Sequence, residues 1–209
     1  MIKRLSIVFL VAMACFASSQ DGPPSATKES TEHNCELTQD DYLVFAALLN
    51  GLHGPEDPEE AWEGKEMLIA NVTATPNKPE SQANWGFRSK SSAAPSRETF
   101  SDYADKARSA CAVKPEFGDP NSYKIIARDE IDNFFKKSVG RGWQEFYKKY
   151  PKSAGFWQFS RPGYNSTRDE ALLYVGHSCG GLCGTGHLYL LSKQNGQWTV
   201  KNRVMLWIS

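Results

Sequence analysis

The densest group of reactive side chains in this sequence is His177, Cys179, Cys183 and His187, all within eleven residues. Two thiolates and two imidazoles make a tetrahedral zinc set. On a strand, His177 and Cys179 point to the same side, and a glycine-rich turn brings the other two round. The same residues offer a second chemistry, because a cysteine beside a histidine is an activated nucleophile. Their third use is structural. Cys179 and Cys183 flank Gly180-Gly181-Leu182, where the glycines let the chain turn back and the sulfurs meet in a disulfide. The spacing favours this third use. So short a loop makes four-ligand geometry demanding, and no evident third group orients a catalytic histidine. The C-x3-C spacing is also not the C-x-x-C at a helix start that lowers a thiol pKa. A disulfide-fixed turn with no cofactor is expected. Zinc held by His177, Cys179, Cys183 and His187 is the alternative, and His187 is otherwise a hydrogen-bonded histidine on a half-buried sheet.

Gly176-His177-Ser178-Cys179-Gly180 matches the G-x-S-x-G nucleophile elbow. The elbow needs a helix directly after the serine, and Gly180, Gly181, Gly184 and Gly186 oppose one. It also needs a carboxylate and then a histidine downstream, but residues 179–209 contain no Asp or Glu. A serine hydrolase is therefore disfavoured. Asp169 or Glu170, just before an apolar run, is the one nearby carboxylate that a fold can bring to His187.

Residues 134–161 carry seven basic side chains, one acidic side chain and nine aromatics. Such interleaving can bind single-stranded nucleic acid. Here Trp143, Phe146, Tyr147 and Tyr150 follow helical spacing while Gln144, Glu145, Lys148 and Lys149 face the other way. A core face with a solvated back is the expected reading. With 24 basic and 24 acidic residues, the chain has no basic excess, so dedicated nucleic-acid binding is disfavoured. The charge is unevenly placed, with 2 basic and 12 acidic residues in 20–75 against 20 and 12 in 76–209. Attraction between the two parts within one fold accounts for this. Asn71-Val-Thr73 and Asn165-Ser-Thr167 match the glycosylation sequon.

The elements that must position these residues are legible in the periodicity. Residues 37–52 read as a helix, with Thr38 as N-cap, Asp41 completing a capping box, and Tyr42, Phe45, Leu48 and Leu49 on one face. Glu56 to Gly64 reads as an acidic loop, Met67 to Thr75 as a strand, and Pro76 to Arg97 as a long polar loop. A second helix is expected over residues 98–111 with Cys111 on its inner face. A strand follows over 123–127, then short helices around Ile131 and over 142–150. From Gly155 the period changes from 3.6 to 2. Asn195-Gly196 is a two-residue hairpin turn, pairing Lys193 with Trp198, Leu191 with Val200, Tyr189 with Asn202 and His187 with Val204. Helices followed by strands define an α+β fold, with N-terminal helices packed against a C-terminal antiparallel β-meander.

The first 19 residues read as a secretory signal peptide, with Lys3 and Arg4 before an apolar stretch from Leu5 to Ala14 and then small residues. Cleavage after Ser19 starts the mature chain at Gln20. The alternative is a lipoprotein box that makes Cys15 the lipid-bearing residue and a membrane tether. Residues 20–34 read as a flexible tether and 35–209 as a single α+β domain, with no transmembrane span in the mature chain. Export suits disulfides. Cys35, Cys111, Cys179 and Cys183 allow three pairings, and local pairing of Cys179 with Cys183 leaves Cys35 with Cys111.

Ser160-Arg-Pro-Gly-Tyr-Asn165, Ala171-Leu-Leu-Tyr-Val175, Cys179-Gly-Gly-Leu-Cys-Gly184, Gly196-Gln-Trp198 and Leu206-Trp-Ile-Ser209 together resemble a group of exported bacterial proteins without assigned function. The resemblance covers roughly residues 120–209 and implies a compact sheet module with no catalytic residues to carry over. The final hairpin also looks somewhat like the last strands of cystatin-like folds. The reading as a whole is a non-catalytic exported binding or envelope-associated domain, periplasmic or extracellular. The rival is a zinc- or thiol-dependent enzyme using the His177/Cys179/Cys183/His187 cluster.

Overall fold

The computed structural model describes residues 35–52, 65–79 and 94–209. The expected leader, Cys15, the tether, the acidic loop and the middle of the 76–97 loop lie outside the described residues. Among the described residues, four helices and a seven-stranded mixed sheet make the fold α+β. In chain order these are α1 (Gln39–Leu52), β1 (Glu66–Ala70), α2 (Arg97–Lys106), β2 (Tyr123–Ile126), α3 (Arg128–Phe135), α4 (Val139–Lys149), β3 (Ser153–Phe159), β4 (Gly163–Tyr164), β5 (Glu170–Gly180), β6 (Cys183–Gln194) and β7 (Gln197–Ile208). The strand order is β2-β1-β3-β5-β6-β7, with β4 also on β5. The carboxyl-terminal meander is antiparallel as expected, while β1 runs parallel to both β2 and β3. Strands β2 and β3 flank β1 and run in the same direction, so a crossover must connect them, and α3 and α4 supply it.

Alternation along the strands splits the core into two faces. Val44, Phe45, Leu48 and Leu49 of α1 cover the face formed by Met67, Ile69, Trp157, Phe159, Leu173, Val175, Tyr189, Leu191 and Trp198. On the opposite face Tyr103 and Ala107 meet Leu172, Tyr174, Leu188 and Leu190. Beside them Ile131 and Phe146 meet Leu68, Ala70, Ile126 and Phe156. Phe45 and Leu48 are fully buried, and such a side chain contributes about 2 kcal/mol. The aromatics of 143–150 pack into this second layer, where Trp143 stacks on Phe156 at 5.8 Å, and Lys148 and Lys149 face solvent. At Gly163 a side chain would run into the Tyr103 backbone, so glycine lets α2 sit directly on the sheet.

Four expectations need correction. Helix α2 stops at Lys106, so Cys111 is buried just beyond the helix rather than on its face. There Ala112 bridges to Val72, and the Cys111 amide donates to Thr73 Oγ1 at 2.8 Å. Regular pairing of β1 ends at Ala70, and Val72 and Ala74 continue it as isolated bridges. Helix α4 starts at Val139 rather than residue 142, because the Ser138 side chain caps it by accepting from the Arg141 amide. The β6–β7 register holds at Lys193–Trp198 and Leu191–Val200, then slips. Lys201 is an extra residue, so Tyr189 pairs with Arg203 and His187 with Met205. A bulge of this kind is invisible to counting outward from a turn.

Candidate functional site

Ser178 sits within β5, opposite Phe156 on one side and Gly184 on the other. The chain then turns straight into β6, so Ser178 has no helix after it and is no elbow nucleophile. The turn itself is closed by Cys179 and Cys183, whose sulfurs lie at disulfide distance with Cα atoms 5.0 Å apart. Cys35 and Cys111 form the second pair, also with Cα atoms 5.0 Å apart. With each sulfur joined to another, neither Cys179 nor Cys183 presents a thiolate.

His177 is buried at 6% exposure. Its Nε2 donates to the Ala154 carbonyl at 2.7 Å, and its ring stacks on Trp157 at 4.1 Å and 19°. Loss of water around the ring pushes its pKa down to about 4, and nearby His187 pushes the same way. At neutral pH it is therefore an uncharged ring with a fixed tautomer. His187 shares this sheet face but is half-buried, one rung from Gly186, with its ring 6.0 Å from that of Tyr189. The two expected carboxylates are elsewhere. Glu170 pairs with Ser192, five rungs along the ladder from His187, and accepts the Ser96 amide at 2.6 Å. Asp169 accepts the Asn165 side-chain amide at 2.6 Å. Among the described residues no group of three or more His, Cys, Asp or Glu is arranged to hold a metal ion.

What opens beside the cluster is a cleft of about 460 Å³ at the end of the sheet. Leu182, Ile208, Ala154 and the Cys179–Cys183 bridge give it apolar walls, and Lys65, Thr185 and Ser209 give it polar ones. Leu182 is 90% exposed at the tip of the turn and Ile208 69% exposed at the end of β7. Tyr147 ties α4 to this end by donating from its hydroxyl to the Cys179 carbonyl at 2.7 Å, and burial raises its phenol pKa. Sequence reasoning singled out His177, Cys179 and Cys183 but not Lys65, Tyr147 or Ile208, which arrive from the residue before β1, from α4 and from β7. One local signal was available in Leu182, a large apolar residue among turn glycines.

A separate polar knot holds α1 to the β4–β5 connection. The buried Tyr164 hydroxyl donates to Asp41 Oδ1 at 2.8 Å. Arg168 lies 4.3 Å over the Tyr164 ring and donates to Asp40 at 2.9 Å, where it holds that carboxyl below its ordinary pKa. Burial and the Asp41 carboxylate push the Tyr164 phenol far above its usual range. These contacts join α1 to β4 and the loop after it. The chain matches no family model, no curated protein and no solved structure.

Proposed function

We propose that this chain is a non-catalytic exported binding module, and that the cleft at the β5–β6 turn takes a ligand with an apolar body. The observation that carries this is how the reactive side chains are used. The sulfurs are bonded in pairs, and His177 spends its Nε2 on a backbone carbonyl and its ring face on Trp157. Catalysis by this cluster would need a free thiolate, or an imidazole with a carboxylate behind it. At this end Leu182 and Ile208 stay exposed, which costs free energy in water. Two disulfides support residence in an oxidising compartment, where they persist. No helix among the described residues is long and apolar enough to cross a membrane.

The test is a fluorescence titration with the apolar anion 1-anilinonaphthalene-8-sulfonate. The native protein is expected to bind it in a saturable way, and Leu182→Glu to weaken binding about tenfold through lost apolar contact and charge repulsion. Val139→Glu, at an exposed apolar residue outside the cleft, is expected to leave binding unchanged. Equal binding by the native protein and Leu182→Glu would refute the cleft as the site.

A further inference from the structure

We propose that two copies of this chain pair edge to edge through β7. The inference goes beyond the cleft reading and stands on three observations. First, β7 ends the sheet order, so among the described residues its outer backbone edge has no strand beside it. Second, that edge strand is twelve residues long, about 40 Å, and it carries Val200, Met205, Trp207 and Ile208. These are exposed by 39%, 50%, 37% and 69%. Long apolar edge strands are sites of strand addition unless they are guarded. Third, when two copies of β7 are centred on Val204, its cations avoid one another and its bulges fall close together.

Geometry restricts the register. Hydrogen-bonded and non-hydrogen-bonded pairs alternate along an antiparallel ladder. Two identical strands related by a two-fold axis must therefore place one residue opposite its own copy. Centring on Lys201 or Arg203 sets a cation against itself. Centring on Asn202 sets Lys201 against Arg203, and like charges directly opposite are destabilising. Centring on Val204 sets Arg203 opposite Met205, Lys201 opposite Trp207, and Val200 opposite Ile208. No like charges meet, Lys201 faces an indole that attracts cations, and all four exposed apolar residues gain a partner. Opposite β6, the extra residues of β7 are Lys201 and Leu206. In this register the two irregularities of one strand face those of the other to within one rung. A regular partner strand would have to bend twice to follow the same edge.

Sedimentation of the full-length protein over a wide concentration range tests the proposal. A reversible monomer–dimer equilibrium is expected. Met205→Lys places a second cation opposite Arg203 of the partner copy and should weaken dimerisation by about tenfold or more. Met205→Glu places a carboxylate there and should hold or tighten the dimer. Circular dichroism melts confirm that both variants fold. Met205 does not line the cleft, so dye binding at Leu182 should survive in both. A monomer at every concentration, or equal loss of the dimer in the two variants, would overturn the proposal. Failure of the dye titration alone would leave it standing.

Discussion

At His177 a single ring decides between chemistry and structure. Its folded pKa of about 4 lies below the ordinary value of 6.5 because burial penalises the charged form. Between those values the unfolded chain takes up a proton that the folded chain refuses. The stabilisation is therefore complete above about pH 6.5 and is lost as the pH falls toward 4. One pKa unit corresponds to about 1.4 kcal/mol, so by pH 5 the loss from this group is about 2 kcal/mol. Urea unfolding at pH 7 and pH 5, with His177→Gln as reference, isolates the effect. The native protein should lose about 2 kcal/mol more than the variant over that interval. Equal losses would mean that the ring is hydrated and free to titrate. The cysteines and histidines were visible in the sequence as a cluster, and so was the short turn that made a disulfide the economical reading. The Ala154 carbonyl and the Trp157 ring were not, because they reach His177 only through the β3–β5 pairing, where Trp157 stands opposite His177.

Elements were legible where one local device set them. Thr38 and Asp41 exchange backbone-to-side-chain hydrogen bonds of 2.7 and 3.3 Å at the start of α1, the reciprocal cap expected from their spacing. The Asn195-Gly196 turn also behaves as expected, with both residues at positive φ. Elements were misread where a distant neighbour set them. Helix α2 ends early because the next residues go to the sheet, the Thr73 amide bonding to the Cys111 carbonyl at 2.9 Å. The Lys201 bulge serves the fit of β7 on β6. The two disulfides also differ by what they span. Cys35–Cys111 are 76 residues apart in sequence and Cys179–Cys183 only 4. The chain-entropy account makes the first worth about 4 kcal/mol and the second about 2 kcal/mol. Denaturant melts of the Cys35→Ala/Cys111→Ala and Cys179→Ala/Cys183→Ala double variants should follow that order. The reverse order would show that the short bridge holds more than its own turn.

Over the whole molecule, the sheet puts its covered strands and its exposed chemistry at different places. Helix α1 lies on one face, α2 to α4 lie on the other, and the Asp40–Arg168 and Asp41–Tyr164 contacts join α1 to β4 and the loop before β5. Apart from Leu43 and Val139, the large apolar side chains exposed among the described residues lie on β7 and at the tip of the β5–β6 turn. The class α+β and the antiparallel end followed from the change of hydrophobic period at Gly155. The parallel additions β1 and β2 did not, because strand order depends on contacts far apart in sequence. The proposed binding role has one central premise, that the cluster at 177–187 is a closed staple. Native protein assayed for bound zinc, then digested without reduction and mapped by mass spectrometry, tests this most directly. The account predicts no stoichiometric zinc and a Cys179–Cys183 bridge in essentially every chain. Free thiols at Cys179 and Cys183 together with one zinc per chain would contradict it and make His177 and His187 ligands.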